Sequence, residues 1–295
     1  MGLLFFFFAL LLPQSVSALT IQPSSFFYEL SPGAEVSGIV TIQNEASEAR
    51  TYHLVLQDVT STDEEGTPEF FAEGVVTETS LASWLSFPSE NMTLAAGETR
   101  DVLFTIHVPD GAESGGYYGA LLFSSSQGEA ESRLETRVGP LILVSVGAEE
   151  AQLELVDFST ERSWYGHLPA TFTLHLRNDG VVPVQPTGTI TISNMLGSTA
   201  SVLALNEDGA RVLPGVTRRL ASSWQRQEVT ADSAEVVKEW KNFGFGYYTA
   251  WLTVENGAGD VITGRTSFWV IPWQLLLGAC LLIALVLFVC RRRVS

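Results

Sequence analysis

Two ten-residue stretches of this chain, 130 positions apart, begin with the same Gly-Tyr-Tyr and are identical at five positions, and they constrain the fold more than any other feature. Residues 116–125 read GYYGALLFSS, and residues 246–255 read GYYTAWLTVE. Each stretch is preceded by the same landmarks in the same order: an alternating strand that ends on an Asn, a turn with a Gly two residues before Thr-Arg, and a second strand. Repetition of a whole series of landmarks indicates two copies of one domain.

The type of domain follows from the pattern between these landmarks. The strands VSGIVTIQN (36–44) and ATFTLHLRN (170–178) alternate apolar and polar residues, and the turns LAAGETR (94–100) and LPGVTRR (213–219) follow them. Short alternating runs bounded by turn residues, without a long helical period, are typical of a β-sandwich. The sequence therefore predicts an all-β protein, with two tandem immunoglobulin-like β-sandwich domains at residues 19–147 and 148–270, followed by one transmembrane α-helix.

The GYY segment is predicted to form the penultimate strand of each domain. Alternation of side chains along a strand would place Tyr117, Leu121 and Phe123 on one face and Tyr118 and Leu122 on the other. Both faces are apolar, so the tyrosines are interpreted as core residues whose hydroxyl groups are hydrogen-bonded at the rim of the sandwich.

The C-terminal end predicts a membrane span. Residues 271–290, IPWQLLLGACLLIALVLFVC, are uncharged and have about the ~20 residues that a helix needs to cross ~30 Å of hydrocarbon. Trp269 and Trp273 flank its start, as aromatic residues do at membrane interfaces. The tail 291–295 begins with three basic residues, which place it in the cytoplasm by the positive-inside rule: Arg291, Arg292 and Arg293.

The N-terminal end is predicted to be a signal peptide. Residues 1–18 contain an apolar run that ends before Pro13, and Val16 and Ala18 have the small-residue spacing of a cleavage site. No Lys or Arg precedes the run, which leaves an uncleaved anchor open as an alternative. Residues 19–270 are therefore expected outside a cell membrane, on the extracellular or cell-wall side of a single-pass protein.

Charge and cysteine content exclude some classes of partner and of compartment. The chain has a net charge of −17, and removing the three tail arginines leaves −20 on the exterior part, which would repel nucleic acid. Cys280 and Cys290, the two cysteines, both lie in the predicted span, so the exterior domains contain no disulfide. Exported domains without cysteine favour a bacterial protein.

The search for chemistry predicts a non-enzymatic protein without a cofactor or a metal. His53, His107, His167 and His175 form no metal-ligand motif, and no nucleophile elbow, HExxH or P-loop motif is present. The acidic stretch 58–66 is the candidate for calcium, but its spacing does not match an EF-hand loop. It is interpreted as a solvated strand connection.

The second domain contains an insertion. Gly97 and Gly116 are 19 residues apart, whereas Gly215 and Gly246 are 31 apart, and the additional residues fall in TADSAEVVKEWKNFGF (230–245). A capping box formed by Asp232 and Glu235 is predicted to start a short helix. Its apolar face would carry Val236, Val237 and Trp240.

Strand direction predicts where this insertion lies. Strand 261–270 runs into the membrane span, and a hairpin at Asn256-Gly257 would make strand 247–254 begin near the bilayer, where the insertion ends. Aromatic and basic residues of this kind are typical of interfacial segments. The alternative is a loop packed on its own domain. The predicted membrane-interface residues are Trp240, Phe243, Phe245, Lys238, Lys241, Trp269 and Trp273.

Residues 32–58 and 84–123 carry a family resemblance. With the turn LAAGETR and the GYY segment, they resemble the first domain of the bacterial cell-surface proteins that include the WxL-interacting proteins, and more distantly the immunoglobulin-like domains of pilus chaperones. The order of signal peptide, two sandwiches, membrane helix and basic tail is also similar. The resemblance implies peptidoglycan binding by the first domain and contacts of the second with partner surface proteins or host ligands.

The predicted function is a non-catalytic, membrane-anchored binding or scaffolding protein, whose partners are the membrane and either peptidoglycan or another cell-surface protein. The alternative is a chaperone-like or envelope-assembly factor that accepts a client strand on an open sheet edge. Convergence of two cations of the first domain would favour that alternative: Arg50, Arg100, Arg133 and Arg137. A third possibility is a complex subunit recognised through Gly278 and Ala279 of the membrane helix.

Overall fold

The computed structural model describes residues 19–72, 80–127, 134–147, 152–230, 232–255, 259 and 261–294. These residues form two compact units. The first contains the described residues of Met1–Val59 and Phe70–Gly147, and the second those of Thr60–Glu69 and Ala148–Ser295. The predicted signal peptide (1–18) and the predicted Asn256-Gly257 turn lie outside the described residues.

Eleven described strands precede residue 148. They are β1 (Leu19–Gln22), β2 (Ser25–Leu30), β3 (Glu35–Asn44), β4 (Arg50–Thr62), β5 (Pro68–Phe70), β6 (Leu85–Ser86), β7 (Asn91–Leu94), β8 (Thr99–His107), β9 (Gly115–Gln127), β10 (Leu134–Val138) and β11 (Leu141–Val146), with a 3-10 turn at Ala82–Trp84. One sheet has the order β1-β3-β8-β6 and the other β2-β11-β9-β4-β5. Strand β2 runs parallel to β11, while the other pairs are antiparallel, and the core between the sheets includes Phe104 and Phe123.

The remaining described elements follow residue 151. They are β12 (Leu153–Thr160), β13 (Trp164–Tyr165), β14 (Ala170–Asn178), β15 (Thr187–Asn194), β16 (Thr199–Leu205), β17 (Thr217–Trp224), α1 (Glu235–Lys241), β18 (Gly246–Glu255), β19 (Val261–Val270) and α2 (Trp273–Val294). The sheets have the orders β12-β14-β17 and β13-β19-β18-β15-β16. Strand β13 runs parallel to β19 as β2 does to β11. The protein is therefore all-β, with two immunoglobulin-like sandwiches of matching strand order, followed by an apolar helix.

Buried asparagines prove that the first landmarks of the repeat are structurally equivalent. The Asn44 amide donates to the carbonyls of Leu94 and Ala95, and the Asn178 amide donates to that of Val212. The carbonyl of each Asn accepts the N–H of the turn glycine, Gly97 or Gly215, at 2.9 and 2.8 Å. Both glycines have positive φ, 70° and 72°, which L side chains rarely adopt. Each sandwich thus ties the same turn to the same strand.

The GYY copies, by contrast, are out of register by one residue. Gly246 lies opposite Val270 of the last strand, and the equivalent position opposite Val146 is Gly115 rather than Gly116. Consequently Tyr117 is equivalent to Tyr248, and both are buried core residues. A shift of one residue exchanges the two faces of a strand, so direct superposition of the GYY letters pairs the wrong tyrosines.

The predicted hydrogen bonding of the hydroxyl groups is confirmed for Tyr117 and wrong for Tyr118. Tyr117 donates to the Glu113 carbonyl at 3.0 Å, and Tyr248 accepts the Phe245 N–H at 3.4 Å. Tyr118 is on the opposite face, and its hydroxyl is buried without a hydrogen-bond partner among the described residues. Burial raises the pKa of Tyr118 well above its ordinary value.

Both helices differ in detail from the prediction. The predicted capping box is wrong: α1 begins at Glu235 after Ala234, and no side chain caps it. The Glu235 carboxylate instead accepts a hydrogen bond from Lys238 at 2.7 Å. Helix α2 begins at Trp273, two residues after the predicted start, and continues through the arginines. It is long and apolar enough to cross a membrane, and it is unburied along its length.

Candidate membrane-proximal site

Helix α1 is fastened to the second sandwich by polar groups. Asn242, directly after the helix, is 3% exposed; its amide carbonyl accepts the N–H groups of Arg226 and Gln227, and its amide donates to Gln227. At the other end, Glu235 lies 3.2 Å from the ring of His167. Hydrogen bonds from Lys238 and His167 hold the pKa of Glu235 below its usual range. Helix α1 is therefore attached to the second sandwich at both of its ends.

Glu239 of α1 caps the first turn of α2. Its side chain is 1% exposed, and its two carboxylate oxygens accept the N–H groups of Gln274 at 3.2 Å and Leu275 at 2.9 Å. The first N–H groups of a helix have no partner within the helix, and a negative charge at this end interacts favourably with the helix dipole. The carboxylate therefore fixes where α2 starts and attaches it to the sandwich.

The chain between β19 and α2 is also held. The Ile271 N–H donates to the Tyr165 carbonyl at 2.8 Å, which continues the pairing of β13 with β19, and Pro272 is buried. Two residues thus separate the last strand from the helix: Ile271 is held through its backbone, and Pro272 is buried.

The predicted interface residues surround this junction. Trp240, Phe243 and Phe245 belong to α1 and the segment after it, while Trp269 and Trp273 flank the junction, and all five are exposed. Trp240 is 74% exposed. Lys238 and Lys241 also lie on α1, where Lys238 is paired with Glu235. The structure therefore brings the predicted residues together, and their contact with lipid remains a proposal.

Sequence reasoning missed two further groups of apolar residues at this end. Trp164 of β13 lies opposite Trp269 and is exposed. The turn after β15 carries Met195 and Leu196, and Leu196 is 85% exposed. This turn is at the same end because Asn194 pairs with Tyr248, near the start of β18. The signal was an apolar pair in a hairpin turn, Met-Leu-Gly, where polar residues are usual.

A groove of about 760 Å³ lies between β13 and α1. Its lining includes Arg162, Trp164, His167, Glu235 and Trp273. Charged groups of both signs therefore alternate with aromatic rings at this end of the sandwich.

The predicted topology residues lie at the far end of α2. The guanidinium of Arg292 lies 4.7 Å from the centre of the Phe288 ring, one helical turn earlier. Arg291 is exposed, and the side chain of Arg293 lies outside the described residues.

The acidic stretch 58–66 is not a single loop. Residues 58–62 belong to β4, and Asp58 is buried, accepting hydrogen bonds from Ser80 at 2.5 Å and the Ala82 N–H at 2.7 Å. Asp63 accepts the Thr67 N–H at 2.7 Å, and this bond lowers its pKa. In the described ranges, no group of three or more His, Cys, Asp or Glu is placed to hold a metal ion.

An open edge is the other candidate surface of the second unit. Among the described strands, β16 pairs with β15 alone and β17 with β14 alone, and a groove of about 650 Å³ lies between these two edge strands. Strand β16 reads TASVLAL, without a charge or a proline. Edge strands usually carry such residues to block pairing with another chain. The Arg219 N–H of β17 already donates to the Glu64 carbonyl, at 2.7 Å.

Two of the cations whose convergence would favour the chaperone alternative, Arg50 and Arg100, are paired with acidic residues of their own unit. Arg50 pairs with Glu48 at 3.1 Å, and Arg100 pairs with Glu98, each an acidic residue two positions earlier. Arg133 lies outside the described residues.

No family model matches the chain, and no curated protein matches its sequence. Solved structures similar to it include the class 5 fimbriae chaperone CfaA, with 11% identity, coverage of 84% of this chain and 99% of that chain, and a TM-score of 0.38. The CsuC–CsuE chaperone–tip adhesion subunit pre-assembly complex of Acinetobacter baumannii has 10% identity, 85% and 98% coverage, and a TM-score of 0.36. PapD-like domain 7 of human CEP192 has 15% identity, 48% and 95% coverage, and a TM-score of 0.30.

The first two structures are chaperones of fimbriae or pili, the class named in the more distant of the two predicted resemblances. Similarity at this level assigns neither an activity nor a partner. The closer resemblance, to the WxL-interacting proteins, stays a prediction.

Proposed function

We propose that this chain is a single-pass membrane protein with a non-catalytic binding or scaffolding role, and that its second sandwich is built directly onto the membrane anchor. The observation that carries this proposal is the Glu239 carboxylate, which is buried in the sandwich and caps the apolar helix α2. A folded domain that holds the first turn of such a helix is suited to support an anchored platform. The basic tail then keeps the C-terminus in the cytoplasm, with both sandwiches outside.

Cysteine labelling in cells tests this topology. In a chain with Cys280→Ser and Cys290→Ser, a single cysteine is introduced by Glu207→Cys in the second sandwich or by Ser295→Cys in the tail. A membrane-impermeant maleimide should label position 207 in intact cells and position 295 after permeabilisation alone. Labelling of both positions in intact cells, or recovery of the protein in the soluble fraction, would contradict the proposal.

For the partner, we propose an extended segment of another protein that adds to the open edge of β16, beside the groove between β16 and β17. Main-chain hydrogen bonds supply the affinity in such strand addition, and grooves beside the edge supply specificity. Val202 of β16 is 56% exposed beside the groove, and the seven uncharged residues of this strand present no charge against pairing. This proposal specifies the chaperone-like or envelope-assembly alternative, with the edge located in the second sandwich.

A charged residue placed on the edge tests this binding mode. A photo-reactive amino acid at position 204 of β16 should form a discrete crosslink in intact cells, and the crosslinked protein is identified by mass spectrometry and purified. Its binding to the full-length protein in nanodiscs should be lost with Val202→Lys. The matched control is Val261→Lys, because Val261 is 57% exposed but lies on β19.

Equal binding by the two lysine variants would refute strand addition at this edge. Absence of a discrete crosslink would also refute it. Peptidoglycan binding by the first sandwich stays a prediction, which pelleting of the nanodisc-embedded protein with purified peptidoglycan tests.

A further inference from the structure

Helix α1 has an inverted amphipathic pattern. A helix on the surface of a water-soluble domain turns its apolar side chains inward and its charged ones outward. In α1 the Glu239 carboxylate is buried in the protein, whereas Val236, Val237 and Trp240 are exposed. The polar contacts of Glu239 hold the helix in this orientation. Such an arrangement is favourable where the surroundings of the helix are less polar than water.

The exposed apolar surface of α1 continues into three other segments at the same end of the sandwich. Residues 164, 195–196 and 269–271 come from different parts of the chain, and strand pairing brings them to this end. Trp164 pairs with Trp269, Gly246 pairs with Val270, and Asn194 pairs with Tyr248. The Met195 methyl group occupies the space that a Cβ atom at Gly246 would need, which fixes the turn beside β18. We call residues 164, 195–196, 236–245 and 269–271 the collar.

The composition of the collar is that of a lipid interface. It contains three tryptophans, at positions 164, 240 and 269, and a fourth, Trp273, begins α2. Amphipathic rings of this type concentrate where a protein meets lipid head groups. The two lysines of the whole chain, Lys238 and Lys241, also lie on α1. Lysine beside an apolar face can extend its charge to the head groups while its methylene groups remain in the apolar layer.

We infer that the collar is inserted into the head-group region of the outer leaflet, so that this end of the second sandwich rests in the bilayer surface instead of standing away from it. This inference rests on the proposed membrane span. Lipid is the occupant because the collar lies at the end of the sandwich from which α2 starts, and two residues separate the last strand from that helix. Any surface so close to the start of a spanning helix lies at the level of the head groups. Exposed apolar patches of this size on a soluble surface would otherwise favour aggregation.

The depth of three labelled positions in vesicles tests the inference. The full-length protein with Cys280→Ser and Cys290→Ser is labelled with a fluorophore at Leu196→Cys, Glu207→Cys or Ala284→Cys. Position 207 is the matched control, because it follows β16 at the end of the hairpin opposite position 196. Each labelled protein is reconstituted into vesicles of phosphatidylcholine and phosphatidylglycerol. Quenching by a lipid that carries a nitroxide near its head group is compared with quenching by external iodide.

We expect the label at position 196 to lose most of its fluorescence to the lipid-borne quencher and to be protected from iodide, and the label at position 207 to behave in the opposite way. Equal iodide quenching at positions 196 and 207, with position 284 protected, would overturn the inference and leave the membrane span intact. Iodide quenching at position 284 as well would refute the span itself. Protection at position 196 without lipid quenching would indicate a second copy or a protein partner on the collar and would also overturn it.

Discussion

Because Glu239 caps α2, the free-energy cost of removing this cap can be estimated from the contacts that the carboxylate makes. Replacing Glu239 by Gln keeps the shape of the side chain but removes its charge and one of the two oxygens that accept the Gln274 and Leu275 N–H groups. Loss of a helix cap costs about 0.5–2 kcal/mol, and a charge near a helix end contributes about 0.3–1 kcal/mol at exposed sites and up to ~2 when partly buried. We therefore expect the first turn of α2 to open more easily by about 1–2 kcal/mol, which corresponds to a factor of roughly 5–30.

Amide hydrogen exchange measures this change where it occurs. In nanodisc-embedded protein, exchange at Gln274 and Leu275 should be roughly 5–30 times faster in Glu239→Gln than in the parent chain. The control is Glu235→Gln, which lies on the same helix but contacts His167 and Lys238 instead of α2. Unchanged exchange in Glu239→Gln, or equal acceleration in both variants, would refute the assignment of Glu239 as the cap.

Three further predictions concern the sandwiches. Asn44→Ala and Asn178→Ala should each destabilise their own sandwich by about 2–4 kcal/mol, because each leaves buried carbonyl groups without donors; exchange protection lost from both sandwiches in either variant would contradict this. Burial raises the pKa of Tyr118, so the folded state favours the neutral phenol: stability should be unaffected below pH ~10 and fall as the pH rises through the raised pKa. Tyr118→Phe should reduce this alkaline loss, with tyrosinate absorbance as the measurement, and an unchanged alkaline titration would contradict the assignment. Gly246→Ala should lower the thermal stability by about 1–3 kcal/mol, because φ is +105° and the new methyl group would meet Met195; an unchanged melting temperature would disprove the strain.

The alternation of apolar and polar residues along the strands, together with the Asn and Gly residues of the turns, was sufficient to predict the two sandwiches. The Asn that ends β3 or β14 is needed for its hydrogen bonds to the turn, and the Gly of that turn is needed for its positive φ. Both residue types therefore recur at the same place in each sandwich, and their spacing identified the equivalent positions without an error of register. The GYY segment lacked such a constraint. Both faces of β9 are buried, with Ala120 and Leu122 on one and Leu121 and Phe123 on the other, so alternation could not decide which tyrosine faces the core.

The sequence predicted which residues of the insertion belong to the candidate site, but it did not predict the contacts that join α1 to α2. Aromatic and basic residues in the insertion indicated a place near the bilayer, and Trp240 is the exposed residue of α1 that this reasoning singled out. The burial of Glu239 depends on a helix 35 residues later in the sequence, as the separation to Gln274 shows. Likewise Leu196 comes to this end through the pairing of β15 with β18, a long-range contact that no local pattern contains.

The connection between β19 and α2 is so short that a movement of the second sandwich is transmitted to the anchor helix. Flexible linkers absorb a sideways pull on an outer domain by bending. Here Ile271 is hydrogen-bonded to β13, Pro272 has a fixed φ, and Glu239 holds the helix beyond them, so these contacts resist bending at the connection. Torque on the sandwich would therefore tilt α2 as a rigid rod and displace Arg291 and Arg292 at its far end. In the proposed topology, a load on the outer domain would in this way become a movement at the cytoplasmic end of the helix.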